Sequence, residues 1–365
     1  MTRPIVTFVC LAALAVSGGH FFTAPDINAP ALLAQAQPPS ITVKRLSTNP
    51  LITVKSSATL EGNVNGPSII RVPAWVEKPL GRYYMYFANH RGYFIRLAYA
   101  DAIEGPWKIH EPGVWHVKDT ALYRSQPDRS RFGGNNTHLA SPEAYVDTAN
   151  RRIVLWAHGW FSNGEHWPTE PAAAQRWAAE KGYGQFSQTA VATDGLSFTA
   201  QPAITRESYL RVFQYDGKFY AMSRLGRLER SSNLLGEFEL GPNPFRETTY
   251  GANRVRHVAT LVKGSRLSVF FTAIGDAPER MMLSTIELTP DWTQWKASTP
   301  VEIMRPEAAY ECADLPVEPS AVGDVEVPVR QIRDPALLED GGRTFLLYST
   351  CGEQGIAAAE ITGLP

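Results

Sequence analysis

The feature that most constrains this sequence is a unit that occurs five times along the chain. Each unit is an apolar strand, a tight polar turn, a second strand, a loop and a third strand. Two copies show the pattern, NGPSIIRVPAWVEKPLGRYYMYF at residues 65–87 and IRDPALLEDGGRTFLLY at residues 332–348. The runs are rich in β-branched and aromatic residues and are bounded by Gly, Asp, Asn or Pro, as β-strands are. Turns such as YDGK, KGSR and EDGGR predict antiparallel hairpins.

Five such units predict an all-β fold, a five-bladed β-propeller. The fifth unit ends soon after its third strand, so we expect the N-terminal segment ITVKRLSTNPLITV to supply a fourth strand and close the ring. The segment PTEPAAAQRWAAEKG predicts a short helical insertion in blade two, between its second and third strands. We therefore expect a single propeller domain over residues 41–365.

The N-terminus has the pattern of a signal peptide. Arg3 precedes an apolar stretch from Ile5 to Val16 that is too short to span a bilayer. We predict a signal peptide over residues 1–36, with cleavage either at an Ala-Gln-Ala site near residue 36 or closer to Gly18. The mature protein is then expected to be secreted or periplasmic, with no membrane partner.

The two cysteines outside the predicted signal peptide indicate the redox compartment, and the composition indicates the class of binding partner. Cys312 and Cys351 would form a disulfide in an oxidising compartment, and the alternative is two separate buried thiols. The formal net charge of -1 gives no electrostatic reason to expect nucleic acid as a partner. Aromatic residues make up 11% of the chain, with nine Trp, which is typical of all-β proteins and of proteins that stack on sugars.

Propeller geometry predicts where the chemistry lies. The starts of the innermost strands and the loops between second and third strands meet on one face, where polar groups and aromatic surface form a ligand pocket. Strand starts and their approaches supply Asn65, His138, Glu143, Arg211, Arg256, His257, Arg333 and Asp334. Second-to-third loops supply His90, Arg91, His158, Trp160 and Glu353.

The NPLIT start, the Asp-Pro inner strand and the Ala100–Trp107 segment ending in GPW resemble the five-bladed glycoside hydrolases. These include the arabinanase/xylosidase-like, invertase-like and anhydrogalactosidase-like families, and the resemblance covers residues 49–361. It implies a base aspartate on the first inner strand, a second aspartate that tunes it, and a glutamate or histidine acid. Asn65 stands at the first-strand position, with Glu143 and Asp334 at the matching places of blades two and five.

Three hypotheses follow for the function. A secreted glycoside hydrolase would use Glu143 and Asp334 as carboxylates, with His90, His158 or His257 as alternative proton donors. A polysaccharide lyase would use the mouth arginines to bind uronate or sulfated sugars. A non-catalytic carbohydrate-binding propeller would explain why Asn65 replaces a carboxylate. The alternative for the arginines is a structural ring with Glu143, Asp334 and Glu353.

The cofactor and partner predictions are brief. We expect no cofactor and no catalytic metal. The alternative is a structural Ca²⁺ near the propeller axis beside His257, although no oxygen cage is visible in the sequence. A carbohydrate is the expected partner, and the sequence does not indicate the oligomeric state.

Overall fold

The computed structural model describes residues 41–124, 138–161, 184–205 and 207–364. These residues belong to one compact unit, Pro39–Pro365. The predicted signal peptide at residues 1–36 and the predicted helical insertion in blade two lie outside the described residues.

Five antiparallel sheets are arranged around a central axis, and each sheet is one blade, which confirms the predicted five-bladed propeller. The innermost strands are β3 (Asn65–Arg71), β7 (Ala140–Asp147), β11 (Arg211–Tyr215), β15 (Val255–Lys263) and β19 (Arg333–Asp340). The second strands are β4 (Tyr83–Ala88), β8 (Arg152–Phe161), β12 (Lys218–Met222), β16 (Arg266–Ala273) and β20 (Arg343–Thr350). The third strands are β5 (Phe94–Ala100), β9 (Gly184–Ala192), β13 (Leu228–Ser231), β17 (Met281–Glu287) and β21 (Gly355–Thr362). Four blades have their own outermost strand, namely β6 (Lys108–His116), β10 (Thr199–Thr205), β14 (Glu239–Leu240) and β18 (Val301–Met304).

The fifth blade takes its outermost strand from the start of the chain. Strand β1 (Thr42–Arg45) pairs antiparallel with β21, with Val43 opposite Ile361. The short β2 (Ile52–Thr53) also pairs with β21. The predicted closure of the ring by an N-terminal strand is therefore confirmed, because β1 supplies the outermost strand that blade five lacks.

The blades pack through apolar faces, because the alternating residues of each strand point to the neighbouring blades. One cluster between the first two blades contains Tyr84, Tyr86 and Leu155, all fully buried. A second cluster, between blades three and four, contains Phe271 and Trp292. These faces hold the inner strands rigidly around the axis.

Helical structure in the described residues is short. The α-helix Ala121–Arg124 is one turn, and the 3₁₀ turns are Ala58–Leu60, Val117–Asp119, Arg224–Gly226, Trp292–Gln294 and Ala309–Glu311. No helix in the described part of the chain is long and apolar enough to cross a bilayer.

Cys312 and Cys351 form a disulfide, as one of the two sequence-based alternatives predicted. The bond joins the segment before β19 to the turn between β20 and β21. Between them, Gly323 and Ala321 present carbonyls to Arg256. The disulfide thus anchors a loop that borders the propeller mouth.

Candidate active site

Four of the five inner strands have a residue in the left-handed region of backbone space, within two residues of the strand's first residue. These residues are Gly66, Ser141, Tyr209 and Asp334, with φ of +58°, +46°, +59° and +51°. Such a conformation is uncommon for residues other than glycine and tends to be retained at functional sites. The four residues point around one axis and define the floor of the mouth.

The strand registers show how the blades correspond. Asn65 pairs with Ala88, and Ala140 and Arg333 occupy the same place in their blades, opposite His158 and Ser349. In each strand a β-bulge follows, and regular pairing resumes at Ser68 in β3, at Glu143 in β7 and at Ala336 in β19. The prediction that Asn65, Glu143 and Asp334 hold matching places is therefore wrong. Asp334 corresponds to Gly66 and Ser141, because the bulge and the following proline, not the first polar residue, set the repeat.

A small pocket opens at the centre of this floor. Its volume is about 10 Å³, which is roughly enough for one water molecule. The four left-handed residues line it together with Arg211, His257 and Val258. Of the predicted catalytic residues, only Asp334 lines the pocket directly.

Asp334 and His257 form a buried pair at the pocket. The Asp334 carboxylate is 2% exposed, and its Oδ1 contacts Nδ1 of His257. The other oxygen, Oδ2, accepts hydrogen bonds from Ser349 Oγ at 2.9 Å and from the Gly66 N–H at 3.3 Å. Burial, reinforced by the nearby guanidinium groups, holds the pKa of His257 well below its ordinary value. Because Nδ1 faces the Asp334 carboxylate, Nε2 is the nitrogen of a neutral His257 that can accept a proton.

Glu353, His90 and Tyr209 form a second chain of polar contacts. His90 Nδ1 lies 2.7 Å from Glu353 Oε2, and His90 Nε2 lies 3.1 Å from the Tyr209 hydroxyl. Burial opposes the charged imidazole, but the Glu353 charge and the hydrogen bonds to Glu353 and Tyr209 outweigh it and raise the pKa of His90 to about 10. At Glu353, burial is outweighed by the charge and hydrogen bond of His90 and by the charge of Arg333, which lower the pKa of Glu353 to about 2. His90 is therefore protonated at neutral pH.

Asn65 supports this second chain and does not replace a base. It is fully buried, and its Nδ2 donates to Asn63 Oδ1 at 2.7 Å and to Glu353 Oε2 at 3.2 Å. Asn63 in turn donates to Glu353 at 2.7 Å. Glu353, expected to bind substrate, is 1% exposed and is held entirely by protein donors.

The Tyr209 ring lies between two histidines. Its centroid is 4.0 Å from that of His257 and 4.2 Å from that of His158. His158 is fully buried and meets His138 edge to face at 5.4 Å. Burial, followed by the charges of neighbouring His and Arg groups, holds the pKa of His158 well below its usual range. His158 is thus a neutral ring that supports Tyr209.

Glu143 is held away from the pocket by Arg211. Its Oε2 accepts from Arg211 Nη1 at 2.9 Å and from Ser68 Oγ at 3.1 Å, and its Oε1 accepts from the Val212 N–H at 3.2 Å. Burial raises the pKa of the Glu143 carboxyl, although the Arg211 charge opposes the shift. Glu143 does not line the pocket.

Arg211 also connects the blades at the axis. It belongs to blade three and donates to the backbone carbonyls of Pro67, Pro142, Val258 and Pro335, at 3.0, 2.9, 3.1 and 3.2 Å, in the other four blades. Its guanidinium therefore bonds to all four of the remaining inner strands.

The other arginines that were expected to bind substrate are also paired within the protein. Arg91 is exposed and pairs with Asp324 at 3.2 Å and with Glu326 at 2.8 Å. Arg256 is buried and pairs with Glu279 at 2.8 Å. Arg333 pairs with both Glu279 and Glu353, at 3.2 Å each. The Trp160 backbone lies near the end of β8, but its side chain is outside the described part of the chain. The described residues contain no group of three or more His, Cys, Asp or Glu that could hold a metal ion.

No family model matches the chain. Over 340 residues the chain is 31% identical to the uncharacterized protein R118 of Acanthamoeba polyphaga mimivirus, covering 87% of this chain and 90% of that protein. This chain belongs to the same family as the viral protein.

Solved structures of similar fold are propeller enzymes that act on sugars. A GH43_1 enzyme from Xanthomonas citri matches with a TM-score of 0.52 and 12% identity, over 85% of this chain and 90% of that one. An alpha-L-arabinofuranosidase from Lactobacillus brevis matches at 0.51 and 14%, over 86% and 92%. A structure from the GH130 family of mannoside phosphorylases and glycoside hydrolases matches at 0.55 and 11%, over 87% and 93%. At these identities the likeness establishes the shared five-bladed fold.

Tyr209 and Arg224 were given no role from the sequence, although Tyr209 lines the pocket and Arg224 lies beside it. Tyr209 stands before an apolar strand and resembles an ordinary core aromatic, and only its left-handed backbone distinguishes it. Arg224, in the turn Arg224–Gly226, has no motif around it. A search for the residue preceding each inner-strand proline would have found Gly66, Ser141 and Asp334, but not Tyr209, because Leu210 follows it.

Proposed function

We propose that this protein is a glycoside hydrolase with a proton-donating arm and a proton-accepting arm on either side of Tyr209. The observation that carries the proposal is the opposite tuning of two histidines around one ring. Glu353 raises the pKa of His90 to about 10, whereas burial lowers the pKa of His257. Pairs of groups whose environments push their pKa values apart are typical of acid and base assignments.

In the proposed reaction, one arm donates a proton to the leaving group and the other arm accepts a proton from the attacking water. The Tyr209 hydroxyl donates its proton to the leaving glycosidic oxygen and regains one from His90 Nε2, which Glu353 holds in place. A water in the small pocket attacks the anomeric carbon, and His257 Nε2 accepts its proton while Asp334 stabilises the resulting imidazolium. General acid and base groups of this kind each contribute about 10²–10⁴-fold to a rate.

The fold likeness supports a carbohydrate as substrate, and the two-arm arrangement replaces the paired carboxylates that glycosidases ordinarily use. Glu143 is not assigned a catalytic role, because Arg211 and Ser68 already occupy its Oε2. We further propose that the chain is exported after removal of residues 1–36. We also propose that no cation is bound at the axis, because the Arg211 guanidinium already donates to the carbonyls that such a cation would need.

The test is mass spectrometry of products after incubation with neutral, uronic and sulfated polysaccharides. Fragments that have gained one water are expected, and Tyr209→Phe should reduce their formation by about 10²–10⁴-fold because only the proton-donating hydroxyl is lost. Fragments with an unsaturated end would instead establish a polysaccharide lyase. Binding without any cleavage would establish a carbohydrate-binding propeller.

Tyr215→Phe is the matched control. Its hydroxyl donates to the Leu288 carbonyl at 3.1 Å, between blades three and four. This variant should keep full activity, so a loss equal to that of Tyr209→Phe would mean that the effect comes from packing and not from proton transfer.

A further inference from the structure

One arginine at the mouth differs from the others in its surroundings. Arg224 lies in the turn between the second and third strands of blade three, on the same face as the pocket. Its backbone N–H donates to the Ser208 carbonyl at 2.9 Å, directly beside Tyr209. The backbone at this position is therefore fixed next to the pocket floor, while the side chain is partly exposed.

The guanidinium of Arg224 has no hydrogen bond or ion pair with any of the described residues. By contrast, Arg227 in the same turn pairs with Glu207 at 2.8 Å. The predicted substrate-binding arginines 91, 211, 256 and 333 all have carboxylate partners. Unlike those four arginines, Arg224 therefore has a guanidinium that is not paired with a carboxylate of the described residues.

The charge of Arg224 acts on the site. Burial is the main reason that the pKa of His158 is low, and His138, His90 and Arg224 lower it further. Because the His158 ring contacts the Tyr209 ring at 4.2 Å between centroids, Arg224 lies within electrostatic range of the ring that the reaction uses. An anion bound there would neutralise a positive charge next to the site.

We propose that Arg224 binds the carboxylate or sulfate of an anionic glycan beside the pocket. Arginine has a planar fork that binds such groups through two parallel hydrogen bonds. The class of ligand rests on the proposed function, because the glycan assignment comes from there. Among the described arginines of the mouth, Arg224 is the one assigned to the anionic group, since arginines 91, 211, 256 and 333 are occupied by protein carboxylates and carbonyls.

The experiment measures equilibrium binding of oligosaccharides to the Tyr209→Phe variant at 0.15 M salt. This variant is used so that cleavage does not interfere. The probes are oligosaccharides in two forms: uronate oligomers with their methyl esters, and sulfated oligomers with their desulfated counterparts. A preference for one of the acidic forms of about tenfold or more is expected, as a charge-assisted bidentate contact gives. Adding Arg224→Gln should abolish this preference, whereas adding Arg227→Gln, with the same loss of charge in the same turn, should keep it.

The proposal is overturned if Arg224→Gln retains the acidic preference, if both forms bind alike, or if no probe binds. The failure of this proposal can be distinguished from the failure of the proposed hydrolase function. Cleavage of a neutral glycan by the wild type and by Arg224→Gln at equal rates would overturn the Arg224 assignment and keep the hydrolase. Acidic-selective binding without any product gaining water would keep the Arg224 assignment and overturn the hydrolase.

Discussion

Tyr209 occupies a backbone conformation that is unfavourable for an aromatic residue, with φ of +59°. A residue held in this region costs about 1–3 kcal/mol unless its surroundings compensate. Here the ring is stacked against His158 and His257, and its hydroxyl meets His90. The strained residue is therefore the one that touches both proposed arms, as expected if strain is retained for function.

The proton on His90 depends on one carboxylate, which gives a prediction about pH. His90 is protonated below its pKa, and Glu353 raises that pKa to about 10. In Glu353→Gln the opposing effect of burial dominates, so the pKa of His90 should fall below its ordinary value near 6.5. The alkaline limb of the kcat/KM profile should move from near pH 10 to below neutrality. The His90 imidazole resonances, followed by NMR against pH, check the pKa without activity.

A control separates this charge effect from general damage. Glu360→Gln removes a carboxylate of the same type from an exposed pair with Arg343 at 3.0 Å, far from the mouth. It should leave both the profile and the His90 titration unchanged. An unshifted His90 pKa in folded Glu353→Gln would contradict the proposed donor arm.

The raised pKa of His90 also has a consequence for folding. A group whose pKa is higher in the folded state stabilises the fold fully below its unfolded pKa, and that stability is lost as the pH rises through the folded value. For His90 the window runs from about 6.5 to about 10. The melting temperature of the wild type should fall across this window. Glu353→Gln, which no longer raises the pKa, should show little of that decline.

At the scale of elements, the closing strand β1 is the contact most easily tested. Val43 is partly buried against the cluster that contains Ile361 and Leu346, while its neighbour Thr42 is exposed. Val43→Asp places a charge against this apolar surface and should destabilise the fold by about 1–3 kcal/mol. Chemical denaturation measures the loss. Thr42→Asp, with the same charge one residue away, should change the stability by less than about 0.5 kcal/mol; equal losses would mean that β1 does not pack as described.

The elements were largely predictable because each blade repeats a pattern of apolar runs and tight turns. The closing strand followed from the short fifth unit, and the disulfide was one of two alternatives that the sequence left open for Cys312 and Cys351. The site was less predictable. A bulge follows Asn65, Ala140 and Arg333 in the structure, so Asp334 aligns with Gly66 and Ser141 and not with Asn65 and Glu143. The proline that follows Gly66, Ser141 and Asp334 is the one sequence signal of this alignment, and it is absent from blade three. Arg211 in YLRVFQY was predicted at the mouth, but nothing in that stretch indicates that its guanidinium bonds to the inner strands of the other four blades.

At the scale of the whole molecule, one side chain bonds to the inner strands of every other blade. Arg211 donates to one carbonyl in each of blades one, two, four and five and pairs with Glu143. The central channel of a propeller needs donors for the carbonyls that face it, since a buried unpaired carbonyl is costly. A single buried guanidinium supplies them here. The fold and the pocket floor therefore depend on the same residue.

Removing this guanidinium should destabilise the propeller as a whole. Arg211→Met leaves Glu143 buried without its cation and four carbonyls without a donor, so the free energy of unfolding should fall by about 3–5 kcal/mol. Adding Glu143→Gln removes the uncompensated carboxylate and should recover about 0.5–3 kcal/mol, which a double-mutant cycle measures. Because Arg211 takes the place of a central cation, EDTA should not shift the melting temperature of the wild type. A chelator-induced fall, or a loss below about 1 kcal/mol in Arg211→Met, would show that something other than this arginine holds the axis together.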